Sequence, residues 1–219
     1  MPFFGILQGI FFIILVTISY KEFKLNSKFA KFIRSEWVLG ILVAFLSILI
    51  AAAAFQSSLF DSKESDLNVE GQKQLTESNS LYLEANQFVI YDYQMYDGWY
   101  INEGTNDELA QYYMDSFSEN LSASMEREEG PFDDQYYTEM YTDAETTYDE
   151  SMTAFDDANT AGNKADSLQL VVLIFAVGLA LAAYGSMLDE EKKLRFFFAL
   201  LSVVALAFGA VIYVVTLLG

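Results

Sequence analysis

The stretch FDDQYYTEMYTDAETTYDESMTAFDDANTAGNKADSLQLVVLIFAVGLALAAYGSM, residues 132–187, decides the fold. Its first half is acidic and its second half apolar, yet one spacing runs through both. From Phe132 onward Tyr137, Tyr141, Ala144, Tyr148, Met152, Phe155, Ala158, Gly162 and Ala165 recur at steps of three or four, and the phase runs on into Leu168. Such steps keep side chains on one face of an α-helix. The stretch therefore reads as one helix that leaves water and enters an apolar environment without a break.

Its apolar half, Leu168 to Met187, is one of four runs without a charged residue, the others being Phe3 to Ser19, Trp37 to Phe55 and Phe196 to Leu218. Each approaches the roughly 20 residues that a helix needs to cross a bilayer. Hydrocarbon offers no hydrogen-bond partner to bare backbone, so each run is expected to be helical. Four spans place both termini on the same side.

Charge decides which side. Lys21, Lys24, Lys28, Lys31 and Arg34 crowd the first short loop, residues 20–36, and Lys192, Lys193 and Arg195 the second, residues 188–195. Between the second and third spans, residues 56–166 hold 26 of the 31 acidic residues and only 4 basic ones. Under the positive-inside rule both short loops are cytoplasmic, so the termini and the acidic segment are extracytoplasmic. The Met1 end lacks the positive flank of a secretory signal, so the first run is expected to stay as an anchor.

Within the third and fourth runs, small residues recur at the spacing that lets helix backbones approach closely, with Gly178 and Ala182 on one and Ala205 and Gly209 on the other. These four are the expected span-packing positions. Gln8 is a strongly polar residue within the first run, and no charged residue lies in any of the four, which argues against active transport.

The acidic segment keeps regularly spaced apolar residues, which separates it from a disordered linker. Leu67, Leu81, Ala85, Phe88, Met95 and Trp99 form a helical seam interrupted by Gln74 and Asp92. Gly104 is expected to end that helix, and Thr105 with Glu108 forms a capping box for a second, from about Asn106 to Arg127. Leu109, Tyr113, Phe117, Leu121 and Met125 share one of its faces, and Gly130 and Pro131 break the chain before the third helix.

The expected fold is thus an all-α membrane protein: four transmembrane helices and, continuous with spans 2 and 3, a long helical hairpin or three-helix coiled-coil-like extracytoplasmic domain. The domains are residues 1–55, 56–166 and 167–219. Eleven of the 14 tyrosines lie in the outer domain. Phe88, Met95, Trp99, Tyr137, Tyr141, Tyr148, Met152 and Phe155 are its candidate interaction seam, because aromatic residues supply large contact area in interface cores.

The chain has no His and no Cys, which removes thiol nucleophiles, imidazole bases, disulfides and the usual zinc and copper sites. Neighbouring carboxylates such as Asp133 with Asp134 or Asp156 with Asp157 diverge by about 100° on a helix and read as a solvated face. Asp97 to Glu108 has the length of an EF-hand loop, but Trp99 and Ile101 stand where oxygen ligands are needed. Asp157 to Leu168 fails likewise at Ala161 and at its end. No cofactor is expected beyond diffuse Ca²⁺ or Mg²⁺ around a segment of net charge −22. That field also disfavours nucleic acid. Asn120-Leu121-Ser122 is a glycosylation sequon.

These features lead to the expectation of a non-enzymatic, multi-pass cell-membrane protein that acts as an assembly or accessory subunit through its acidic, Tyr-rich outer domain. Its partners would be the bilayer and either further copies or other membrane and surface proteins. An oligomeric cation channel, or an extracytoplasmic sensor coupled to a separate partner, is the alternative.

Overall fold

The computed structural model describes residues 28–189 and 193–218, and every regular element among them is an α-helix. These are α1 (Lys28–Ile33), α2 (Glu36–Asn102), α3 (Asp107–Met114), α4 (Glu119–Met125), α5 (Asp134–Ser186) and α6 (Lys193–Leu218). Three of them, α2, α5 and α6, are long and apolar enough to cross a membrane. The first apolar run, Phe3 to Ser19, with Gln8, lies outside the described residues, as does the start of the first basic loop.

Both α2 and α5 carry an apolar run and an acidic run in one unbroken helix of 67 and 53 residues. Neither contains proline, so nothing interrupts the backbone ladder at the change of polarity. The chain packs as two compact units, one holding the described residues up to Ser58 and from Lys164 onward, the other Leu59–Asn163.

In the first unit the core is Ile33 of α1, Leu39, Leu42, Leu46 and Ala53 of α2, Val171, Phe175 and Ala182 of α5, and Ala199 of α6. Small residues set how closely the helices approach. A Cβ on Gly178 would stand 3.1 Å from that of Ala205, and one on Gly209 would stand 2.5 Å from the Phe175 ring. The Ser202 hydroxyl donates to the Gly178 carbonyl at 2.7 Å, and Ser57 donates to the Ala165 carbonyl at 3.0 Å. Hydroxyls on helix faces can reach a neighbouring backbone only when the axes are near. All four span-packing positions thus make contacts within this one chain. Arg195, placed by the sequence in a short loop, lies instead in the first turn of α6, buried, with Nη1 on the Leu188 carbonyl at 2.7 Å.

In the second unit α2 and α5 run antiparallel: Gly71 faces Phe155, the Ser78 hydroxyl donates to the Ala144 carbonyl at 2.8 Å, and Tyr141 OH donates to Asn86 Oδ1 at 2.7 Å. The contact stripe of α2 is Gly71, Ser78, Ala85 and Asp92, seven residues apart throughout, and that of α5 is Ala144, Ser151, Ala154, Ala158 and Ala161. Small side chains line both helices; the seams read from the sequence share Ala85, Ala144 and Ala158 with these stripes but also drew in large residues. Phe88, Tyr148 and Met152 point outward, 48%, 42% and 43% exposed, while Met95, Trp99, Tyr137, Tyr141 and Phe155 are half-buried. Close approach lets each alanine or serine meet backbone as well as side chain, which adds dispersion contacts and admits the Ser78 hydrogen bond.

The connecting segment departs from the single second helix expected over Asn106 to Arg127. Gly104, at φ 72°, ends α2 as expected. The N-cap of α3 is Asn106, whose Oδ1 accepts from the Leu109 amide at 3.3 Å, and not Thr105, whose hydroxyl turns back to the Asn102 carbonyl at 3.1 Å. The helix then stops at Asp115. Ser118, in extended conformation, takes the Leu121 amide on its hydroxyl at 3.0 Å and starts α4. Instead of a third full-length helix, two short ones meet α2 near its end: a Cβ on Gly98 would touch the Tyr113 ring at 2.6 Å, and Leu121 of α4 packs with Val89 and Tyr136.

Candidate interaction site

The end of the second unit is organised around Asp92. Its position in the small-residue stripe of α2 drives the carboxylate into the interior, where it is fully buried. Such a burial is tolerated only if the oxygens are saturated with donors. Oδ1 accepts from the Ser118 amide at 3.0 Å, and Oδ2 from the Ser118 hydroxyl at 2.5 Å and Tyr136 OH at 2.8 Å. Ser118 thereby caps α4 and anchors it to α2 at once, since its oxygen also receives the Leu121 amide. Burial, then the Asp92 hydrogen bond, push the Tyr136 phenol far above its ordinary range, so it stays a donor at any physiological pH.

Around this node lies an aromatic layer. Phe132, held at φ 63°, stacks on Tyr93 with centroids 4.2 Å apart and meets Tyr96 and Tyr136 edge-on. Tyr96 continues to Trp99, and Trp99 to Phe117. Tyr93 and Tyr137 share a hydroxyl hydrogen bond of 2.5 Å, and that bond, with burial, pushes Tyr137 up to about 12.

The turn into α5 is fixed by a fork. Arg127 Nε and Nη2 reach the two oxygens of Asp133 at 2.5 and 2.9 Å, and Asp133 Oδ1 also accepts from the Tyr136 amide at 2.7 Å, capping α5. The Arg127 guanidinium holds the Asp133 carboxyl below the usual carboxylate range. Glu139 joins at 3.6 Å. These carboxylates are committed to structural hydrogen bonds, and among the described residues no group of three acidic side chains is arranged to hold a metal ion.

Of the sequence-derived seam, the structure brings Trp99 and Tyr137 into this aromatic layer, sets Tyr141 against Asn86 and Tyr82, and lays Phe155 over Gly71. Phe88, Tyr148 and Met152 face outward on the two helices. Sequence reasoning missed Asp92, Ser118, Tyr136 and the Arg127–Asp133 fork as organising groups. The signal was present: a lone acid at a seam position implies a buried donor set.

What remains accessible is surface of two kinds. From residue 134 to 163, α5 exposes Asp134, Glu139, Asp143, Glu145, Asp149, Glu150, Asp156 and Asp157 and no basic residue. The face of α2 turned away from α5 exposes Val69, Leu83 and Ile90, and beside them a shallow hollow is lined by Ser80, Leu83, Glu84, Gln87, Phe88 and Tyr91. Tyr100, Ile101 and Tyr112 are likewise exposed. No protein-family model, curated protein or solved structure matches the chain.

Proposed function

We propose that this is a non-enzymatic integral membrane protein that works by contact, as an assembly or accessory subunit whose acidic helical domain engages other copies or other surface proteins. In this reading four helices span the membrane, the termini and residues 56–166 lie outside the cytoplasm, and the contact surface belongs to the parts of α2 and α5 within residues 56–166. The observation that supports it is the combination, in one unit, of an internally saturated polar framework with large apolar side chains left in water: Leu83 is 64% exposed, Ile90 57% and Tyr112 65%. Leu83 and Ile90 stand seven residues apart on one face of α2, and apolar surface gathered on one exposed face marks an interaction surface. Committed carboxylates and packed aromatics make a rigid platform, which lowers the entropic cost of association.

The test is the mass of the native assembly after solubilisation in mild detergent, with its subunits identified. Several identical chains, or a stoichiometric foreign subunit, is the expected result. A monodisperse single chain that recovers no partner from native membranes overturns the proposal.

A further inference from the structure

The outward face of α2 carries a second seven-residue repeat. Gly71, Ser78, Ala85 and Asp92 form the repeat that packs on α5, and Val69, Thr76, Leu83 and Ile90 form another on the opposite side of the same helix, every member exposed. Between them, at the alternate step, stand Lys73, Ser80, Gln87 and Gln94, also exposed. This is the a/d pattern of a helix seam, with three aliphatic residues and Thr76 at one position and mostly uncharged polar ones at the other. Over these eight residues Lys73 is the one charge, in a unit that otherwise carries an acid every few residues.

We infer that a second copy of this chain docks on this face, pairing Val69, Thr76, Leu83 and Ile90 of one α2 with the same residues of the other; the inference rests on the contact reading proposed above. Charge selects the occupant. Two copies that meet through α5 bring eight exposed acids against eight, a juxtaposition that salt weakens but does not make favourable. A basic partner would be drawn to α5 instead. The α2 face lets like meet like with no carboxylate among its eight seam positions; Glu70, Glu77 and Glu84 line one edge of it, and in a parallel pair that edge meets the uncharged opposite edge, Gln72 and Asn79, and not its own acids. Two chains inserted with the same topology are related by a two-fold axis along the membrane normal, so each residue meets its own counterpart. From Val69 to Gln94 the face is about 38 Å long at about 1.5 Å per residue. A single helix stripe of that length falls below the roughly 1,200 Å² of a stable soluble interface. The pairing therefore depends on the high effective concentration of two chains held in one bilayer.

The chain contains no cysteine, so single substitutions report cleanly. Full-length Leu83→Cys and Ile90→Cys are placed in membranes and oxidised, with Asp149→Cys and Thr153→Cys on the exposed side of α5 as controls; all four sites are exposed, so the helices tolerate the change. The expected result is disulfide-linked dimers at Leu83 and Ile90 in at least tenfold excess over both controls, lost when Thr76→Glu and Gln87→Glu are added. Equal linking at the α5 positions, or none at the α2 positions, overturns the inference. The native mass separates the two levels: a single chain ends both proposals, whereas a multimer with silent α2 cysteines ends only this one.

Discussion

Replacing Asp92 by alanine tests whether one buried carboxylate holds α3 and α4 onto the long helices. The carboxylate accepts three hydrogen bonds, from the Ser118 amide, the Ser118 hydroxyl and Tyr136 OH. A hydrogen bond to a charged group contributes about 1.5–3 kcal/mol, and an orphaned buried donor costs about 1–3 kcal/mol. The Ser118 hydroxyl can rotate to another acceptor, but Tyr136 is fully buried and loses the partner of its hydroxyl. The three bonds are not additive, so the expected loss is about 3–5 kcal/mol. Asp92→Asn keeps the shape and one acceptor and should lose about 1–2 kcal/mol. Because the node joins α4 to α2 and α5, the loss should fall on local opening of the segment from α3 to Phe132 and leave the paired helices intact. Of the two tryptophans, Trp99 sits against Phe117 in this segment, so a Trp37→Phe background makes its fluorescence a local reporter. Amide exchange at α4 gives the opening constant directly, and Asp92→Ala should raise it about a hundredfold to several thousandfold at about 1.4 kcal/mol per decade. An increase below about tenfold refutes the assignment of Asp92 as the tie.

Three further outcomes follow from the same region. Tyr137 is pushed up to about 12 by its bond to Tyr93, so the neutral phenol is favoured in the folded chain; the stability this gives is complete below the ordinary tyrosine range and is lost as pH rises from there through about 12. Tyr137→Phe should remove that part of the alkaline loss, read as melting temperature against pH. Asp133 is shifted the other way, so its contribution is present above the ordinary carboxylate range and disappears as pH falls through the depressed value. Arg127→Gln should accordingly move acid unfolding to higher pH; an unchanged acid midpoint counts against the fork. Gly98→Ala gains about 1 kcal/mol of helix propensity but sets a Cβ 2.6 Å from the Tyr113 ring, where overpacking costs about 1–3 kcal/mol. The net effect should be destabilising, and Tyr113→Leu in the same chain should reverse it.

Much of the architecture was legible in the residues because it depends on one-dimensional properties. Length and apolarity define spans, and a spacing of three and four that crosses Ala165 and Leu168 without a phase change implies one helix on both sides of the polarity boundary. Gly104 ended α2 because a positive φ is cheap only for glycine. The second helix failed as a prediction because Ser118 offered a better cap in mid-run, with a hydroxyl that serves both its own helix and Asp92.

The inward stripe was legible only in part. On α2 the seam read from spacing, Leu67, Leu81, Ala85, Phe88, Met95 and Trp99 with Asp92 as an interruption, shares Ala85 and Asp92 with the buried stripe, but hydrophobicity alone passes over Gly71 and Ser78 and favours the exposed Phe88. Only the partner helix decides, since α5 presents Ala144, Ser151 and Ala158 at matching positions and two small-residue faces can approach until a serine hydroxyl reaches the opposite backbone. The same holds for Asp92, whose partners lie 26 and 44 residues away along the chain. The sequence by itself determined that the two long segments are helical and which runs are apolar, because those are properties of a chain with its own neighbours. Tertiary structure decided which faces are covered and which are left for contact, because burial is a property of pairs.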